Sequence, residues 1–93
     1  MKSSIKNDGW QNFIAHCLKF KNASELEVFF DVLFTSSEKT EFGNRLCIIR
    51  ELLENKKTQR EIAHDLKVSI ANVSRGSNVI KNSEHDLKKY LHF

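Results

Sequence analysis

The chain has 93 residues, the length of a single domain, which we expect to span residues 1–93. It has no proline and three glycines, and its apolar residues recur at spacings of three and four, which predicts an all-α fold and argues against a turn-rich β protein. No apolar stretch approaches the ~20 residues that a membrane span requires. The net charge is +3, but residues 45–81 contain eight basic and four acidic side chains, so that this part carries +4 and the rest −1. This distribution is expected if one face of the C-terminal half meets phosphates.

The first predicted elements are a polar, flexible arm at residues 1–7 and two amphipathic helices. Asp8 can cap the first helix and Ser24 the second. Their apolar faces contain, in order, Trp10, Phe13, Ile14, Cys17 and Leu18, and then Leu26, Phe29, Phe30 and Leu33.

A third helix is predicted from the capping box Thr35-Ser-Ser-Glu38 to about Asn55. A monomer of this length buries only about 60–65% of its unfolded surface, so its core is thin for so many large apolar residues. We therefore expect residues 8–55 to be dimerisation helices that share a core with a second copy of the chain.

A second capping box, Thr58-Gln-Arg-Glu61, predicts a short helix that ends near Leu66. Lys67-Val68 would form a turn, and Ser69 would cap a helix that continues to residue 78 or 80. Ser83 would open a last helix, residues 83–93, with Leu87, Tyr90 and Leu91 facing inward.

The segment at residues 58–81 fits the steric demands of a helix-turn-helix. Ile62 and Leu66 would face the core, Ala63 would allow a close helix crossing, and Val68 and Val73 would fill the turn and the second helix. The positions that point outward are short or polar enough to enter a major groove, namely Ser69, Ile70, Ala71, Asn72 and Ser74. An ordinary helical hairpin is the alternative.

Gly76 departs from the generic helix-turn-helix pattern, which has a bulky inward residue at this position. A glycine inside a helix costs up to ~1 kcal/mol relative to alanine. Either the helix ends there, or something approaches its backbone closely.

Residues 34–81 resemble the Trp repressor family, and the similarity extends weakly to both ends. The most specific part is Val73-Ser74-Arg75-Gly76-Ser77-Asn78, with Arg45 about thirty residues upstream after a glycine. The resemblance implies six helices, two chains interlaced in a symmetric homodimer, and a repressor of tryptophan biosynthesis or uptake genes. It also implies L-tryptophan as corepressor, with no other cofactor.

By the same resemblance, the indole would lie between Arg45 and Arg75, with Gly76 giving room, because guanidinium planes stack on aromatic rings and pair with carboxylates. Thr35 would help to hold the ligand carboxylate, and main-chain carbonyls at Val32 and Phe34 of the other chain would meet the amino group. Val79 stands where the family has a serine that contacts this amino group. Surface ion pairing with acids such as Glu41 is the alternative role for the two arginines.

On operator DNA, Arg60 is the best candidate for a guanine contact, since arginine can bond O6 and N7 together. Ser69, Ile70, Ala71, Asn72 and Ser74 would face the groove, and Gln59, His64 and Lys81 would lie nearer the backbone. Ala63 and Asn72 replace a family lysine and threonine, so the operator may differ. The ligand would fix the tilt of the second reader helix.

Other functions have less support. Cys17 and Cys47 lie among apolar neighbours without a CxxC partner or a signal peptide, which predicts reduced core thiols in a cytoplasmic protein. The four histidines lack metal-ligand spacing, so we expect no metal site, and no catalytic constellation or membrane contact. The alternatives to a tryptophan-dependent repressor are a member of the family that binds DNA without tryptophan or with another indole-like effector, and a helical dimer that acts as an interaction or ligand-buffering module.

Overall fold

The computed structural model describes residues 8–91, which form six helices and contain no strand. The helices are α1 (Gly9–Cys17), α2 (Ala23–Leu33), α3 (Ser36–Glu54), α4 (Gln59–Leu66), α5 (Ile70–Asn82) and α6 (Leu87–Tyr90). The all-α prediction is confirmed for this range, and the predicted arm at residues 1–7 lies outside it. The chain divides after Thr35 into two compact units.

The first unit contains α1 and α2, and its helix starts are set by local hydrogen bonds. The Asp8 carboxylate caps α1 by accepting from the Gln11 amide at 3.0 Å, as predicted. The predicted cap at Ser24 is wrong, because the Asn22 side chain accepts from the Glu25 amide at 2.9 Å and α2 begins at Ala23. Asn22 forms this bond three residues before an acidic residue, the spacing of a capping box.

An aromatic cluster fills the space between the two helices of this unit. The ring of Phe13 lies 5.4–5.9 Å from those of Trp10, Phe29, Phe30 and Phe34. These separations are typical of favourable aromatic pairs. No described residue of α1 or α2 is fully buried, however.

The second unit is built on the mutual packing of α3, α4 and α5. Its core contains Ile48 of α3, Ile62 and Ala63 of α4, and Val73 of α5, with Leu52, Leu66 and Val68 packed around them. Ile62 and Val73 are completely buried. The inward positions predicted for the helix-turn-helix are therefore confirmed.

Capping fixes the boundaries of α4 and α5. The Thr58 hydroxyl accepts from the Glu61 amide at 3.1 Å, and the Glu61 carboxylate accepts from the Thr58 amide at 2.8 Å, which completes the predicted capping box. Ser69 caps α5 as predicted, accepting from the Asn72 amide at 3.1 Å. Between them, Lys67 ends α4 in the left-handed region with φ 57°, a conformation that commonly terminates a helix.

The C-terminal end departs from the prediction. Ser83 does not open a helix; it follows α5, which extends to Asn82, and its hydroxyl accepts from the His85 amide at 3.1 Å. The last helix is a single turn that begins at Leu87, and Tyr90 is exposed rather than inward. The prediction that Cys47 is a core thiol is also wrong, because this side chain is exposed on α3.

Candidate ligand cleft and nucleic-acid interface

A cleft of about 320 Å³ lies between α3 and α5, wholly within the second unit. Small-molecule sites typically have volumes of about 300–1,000 Å³. Both helices contribute residues at helical spacing: Glu41, Asn44, Arg45, Ile48 and Ile49 from α3, and Asn72, Arg75, Gly76 and Val79 from α5. The cleft therefore has an apolar floor and a charged rim, a composition suited to a ligand with a flat apolar part and ionised groups.

Gly76 is buried in the middle of α5, so the sequence alternative that the helix ends there is wrong. A Cβ at this position would lie 2.8 Å from Cγ2 of Ile48 and 3.3 Å from Cδ1 of Leu52. The element that approaches the backbone of α5 is thus α3 itself. The glycine allows the two helices to pack closely and also lines the cleft.

The charged groups of the cleft are not neutralised by ion pairing. Among the described residues, no salt bridge involves Arg45, Arg75 or Glu41. The guanidinium of Arg75 instead donates to the side-chain oxygen of Asn72, one turn earlier on α5. The alternative role of the two arginines, surface ion pairing with Glu41, is therefore not observed among the described residues.

Of the residues that the resemblance assigned to ligand binding, four line the cleft: Arg45, Arg75, Gly76 and Val79. The other three belong to the first unit. Val32 is exposed on α2, Phe34 ends that helix with its amide donating to the Phe30 carbonyl at 2.8 Å, and Thr35 immediately precedes α3. Their roles stay predictions.

Sequence reasoning did not assign Glu41, Asn44, Ile48 and Ile49 to the cleft. A signal was available for Glu41, Ile48 and Ile49, because they lie three or four positions from Arg45 on one helix and therefore share its face; Asn44 is adjacent to Arg45 and gives no such signal. The spacing alone did not show that α5 forms the opposite wall of the cleft.

The residues predicted to contact DNA occupy α4, α5 and the turn between them. Most of them are exposed: Arg60, His64, Ser69, Ile70, Ala71, Asn72 and Lys81. Gln59 and Ser74 are half-buried, and the Ser74 hydroxyl donates to the Gln59 side-chain oxygen at 3.0 Å. This bond ties the start of α4 to α5 and so helps to fix the angle between the two helices.

Ion pairs also connect the elements of the second unit. Lys57 Nζ, in the loop before α4, lies 2.9 Å from Asp65 Oδ2 and 3.4 Å from Glu51 Oε1. The hydrogen bond from Lys57 holds the pKa of the Asp65 carboxyl below its usual value, and the same bond raises the pKa of Lys57. The loop is thereby connected to both α3 and α4.

The described residues contain neither a metal-binding cluster nor a membrane-spanning helix. These residues contain no group of three or more His, Cys, Asp or Glu side chains arranged to hold a metal ion. Over the same range, no helix is both long and apolar enough to cross a membrane.

The second unit therefore places two capped helices joined by a short turn, α4 and α5, beside a cleft between α3 and α5. The family model described as Trp repressor protein matches residues 8–92, and the chain belongs to that family, whose members are transcription regulators and not enzymes.

Several relatives align with this chain over most of its length. A Trp operon repressor homolog of Chlamydia trachomatis serovar L2 is 40% identical over 86 residues, which cover 92% of either chain. Homologs of the same name from Actinobacillus succinogenes and Chlamydia caviae are 39% and 35% identical, each over 98% of this chain and 90% of their own. The resemblance noted in the sequence is therefore confirmed.

Proposed function

We propose that this protein is a homodimeric repressor that binds operator DNA when L-tryptophan occupies the cleft between α3 and α5. The observation that carries the proposal is that Arg45, Arg75 and Gly76 line one cleft, on the inner side of the same helix whose first turn exposes Ile70 and Ala71. One helix would then serve both the ligand and the DNA.

The chemistry of the cleft fits an aromatic amino acid. Ile48 and Ile49 supply apolar surface at the floor, and Arg45 and Arg75 supply planar cations. A guanidinium can stack on an indole ring, and it can also pair with a carboxylate through two parallel hydrogen bonds. The ligand would thus use both arginines without requiring a metal or a further cofactor.

Coupling to DNA would follow from the position of the cleft. A ligand wedged between α3 and α5 fixes the tilt of α5, and Arg75 is bonded to Asn72, which is exposed in the first turn of that helix. Allosteric coupling energies are typically ~1–3 kcal/mol, or about 5–150-fold in affinity. By linkage, operator DNA should tighten tryptophan binding by the same factor.

A homodimer is supported by apolar surface that one chain leaves open. Trp10, Leu18, Val28 and Val32 are between 64% and 81% exposed in the first unit, and Phe42 and Leu46 are about half exposed on α3. Large exposed apolar patches, rather than single residues, mark surfaces that bind a partner. Interlacing with a second copy would cover them and would bring carbonyls from the partner to the ligand.

The dimer would read a pseudo-palindromic operator. Two-fold helix-turn-helix dimers, for which Trp repressors are a reference example, contact half-sites about 34–36 Å apart. Within each half-site, Arg60 would contact guanine, and the exposed first turn of α5 would enter the groove. Water-mediated contacts are known for this family, so side chains alone do not define the base preference.

The test is a gel shift on a library of palindromic duplexes, with and without L-tryptophan, paired with calorimetry of L-tryptophan binding. We expect ligand-dependent, salt-sensitive retention of a subset of sequences. Arg60→Ala should weaken DNA retention and leave the ligand affinity unchanged, whereas Arg45→Ala should remove both ligand binding and its effect on DNA.

Lys88→Ala is the matched control, because it removes one exposed positive charge from α6, outside the proposed interfaces. It should change DNA retention far less than Arg60→Ala. Equal effects of these two variants, or no retention of any duplex, would refute the DNA-binding role. Retention that ignores L-tryptophan, or no heat of binding at millimolar L-tryptophan, would refute the corepressor role.

A further inference from the structure

One charged residue of the cleft has no role in the proposed function. Arg45 and Arg75 are cations suited to a carboxylate and an aromatic ring, but Glu41 places a carboxylate at the same cleft. An anion beside a site for an anionic group weakens binding of that group unless the ligand also carries a positive charge. Glu41 is therefore informative about the class of ligand.

Glu41 could have paired with Arg45, but it does not. The two residues are four positions apart on α3, with the acid nearer the N-terminus, which is the favourable order for an ion pair on a helix. Arg50 and Glu54 have the same spacing on the same helix and do pair, at 3.7 Å. Among residues 8–91, Glu41 and Arg45 form no such bridge with each other or with another side chain.

The cleft thus offers both signs of charge to a ligand. A free amino acid at neutral pH carries a carboxylate and an ammonium separated by one carbon. Main-chain carbonyls can accept hydrogen bonds from the ammonium, but they carry no net charge to balance it. A carboxylate does both, and hydrogen bonds between ionised groups are shorter and stronger than neutral ones.

We infer that Glu41 is the specificity-determining residue for the α-ammonium group of the ligand, so that the cleft selects a zwitterionic aromatic amino acid over a deaminated aromatic acid. This inference rests on the proposed function, since it concerns the same cleft. Indole-3-propionate has the ring and the carboxylate of tryptophan and lacks the ammonium. It would leave Glu41 without a counter-charge and would be repelled by it.

The experiment is calorimetry of the full chain with L-tryptophan and with indole-3-propionate, using the ratio of the two affinities as the readout. The unmodified chain should prefer L-tryptophan. Because a hydrogen bond between charged groups contributes a factor of about ten or more, Glu41→Gln should weaken L-tryptophan by about that factor. The same variant should bind indole-3-propionate equally well or more tightly.

Glu38→Gln is the matched control, since it makes the same substitution one turn earlier on α3 at a residue that does not line the cleft. Glutamine can replace glutamate in a capping box, so the start of α3 should be preserved. This variant should keep the affinity ratio of the unmodified chain. A loss of folding would lower both affinities together, and the ratio separates that effect from the loss of a counter-charge.

The outcomes distinguish the two proposals. If the unmodified chain binds L-tryptophan and Glu41→Gln leaves the affinity ratio unchanged, the role of Glu41 is refuted and the proposed function stands. An equal change of the affinity ratio in Glu38→Gln would also refute the role of Glu41, because the change would then follow from the net charge of the chain. If neither ligand binds the unmodified chain, both proposals fail.

Discussion

Replacing Gly76 by alanine should destabilise the protein, although alanine is the better helix former. In a helix interior this change alone would stabilise by up to ~1 kcal/mol. The new methyl group would, however, lie 2.8 Å from Cγ2 of Ile48, which is only 3% exposed. Cγ2 of Ile48 can move away only by rotation about χ1, and isoleucine in a helix has one strongly preferred χ1 rotamer. We therefore expect α3 and α5 to separate.

The magnitude follows from these opposing terms. Inserting a methyl group into a packed core costs about 1–3 kcal/mol, which exceeds the gain in helix propensity. We expect Gly76→Ala to lower the free energy of unfolding by about 1 kcal/mol. For a chain of this length, that is a decrease in Tm of about 4–8 °C.

Gly43→Ala is the matched control. Gly43 also lies inside a helix, α3, but a Cβ there would have no atom within 4 Å. This variant should therefore stabilise by about 0.5–1 kcal/mol. Urea unfolding of both variants at one chain concentration is the assay, because stability depends on concentration if the chain dimerises.

A double-mutant cycle tests the proposed cause. Ile48→Ala should cost less in the Gly76→Ala background than alone, because it removes the methyl group that clashes, and a coupling of 0.5 kcal/mol or more is expected for residues in contact. The reasoning is wrong if Gly76→Ala stabilises as much as Gly43→Ala, or if the cycle shows no coupling.

Three further predictions concern the second unit. Lys67→Gly should raise the free energy of unfolding by about 0.5–1 kcal/mol in urea titrations, because φ is 57° at this position and glycine adopts the left-handed region without a Cβ penalty; an unchanged midpoint would contradict this. Thr58→Ala should cost about 1 kcal/mol in the same assay through loss of the capping box, and Thr58→Ser should restore most of it. The lowered pKa of Asp65 means that the ionised carboxylate contributes to stability above about pH 4, and that this contribution is lost as the pH falls below 3.8, the usual pKa of an aspartate. The stability difference between the unmodified chain and Asp65→Asn should therefore be largest near pH 7 and shrink towards pH 3. A difference that does not vary with pH would refute the ionic origin.

The starts of the helices could be read from the sequence because caps are local interactions. Thr58 with Glu61, Ser69, and Asp8 each satisfy an amide within three residues of themselves, so the chain segment contains both partners. The wrong prediction of Ser24 as the cap of α2 followed from the same capping rule. Asn22 precedes Glu25 by three positions and is an equally good cap, which the prediction did not consider.

The C-terminal end was harder to predict because the hydroxyl of a serine can either cap a helix or close a short turn. Ser83 is a competent cap in sequence, but its hydroxyl accepts an amide only two residues away, which forms a turn and not a helix start. The following helix has four residues. So short an element has little intrinsic stability, and periodicity gives little information about it.

By itself, the sequence determined the helical class, the capping and inward face of the helix-turn-helix, and the resemblance that identified Arg45, Arg75 and Gly76 as a set. These features depend on local hydrogen bonds and on the period of the helix. Only the tertiary structure decided that Ile48 is the group closest to Gly76, and that Glu41 joins the cleft without pairing with Arg45. Such contacts depend on how closely α3 crosses α5, which side-chain packing between distant segments sets and which no spacing within either helix encodes.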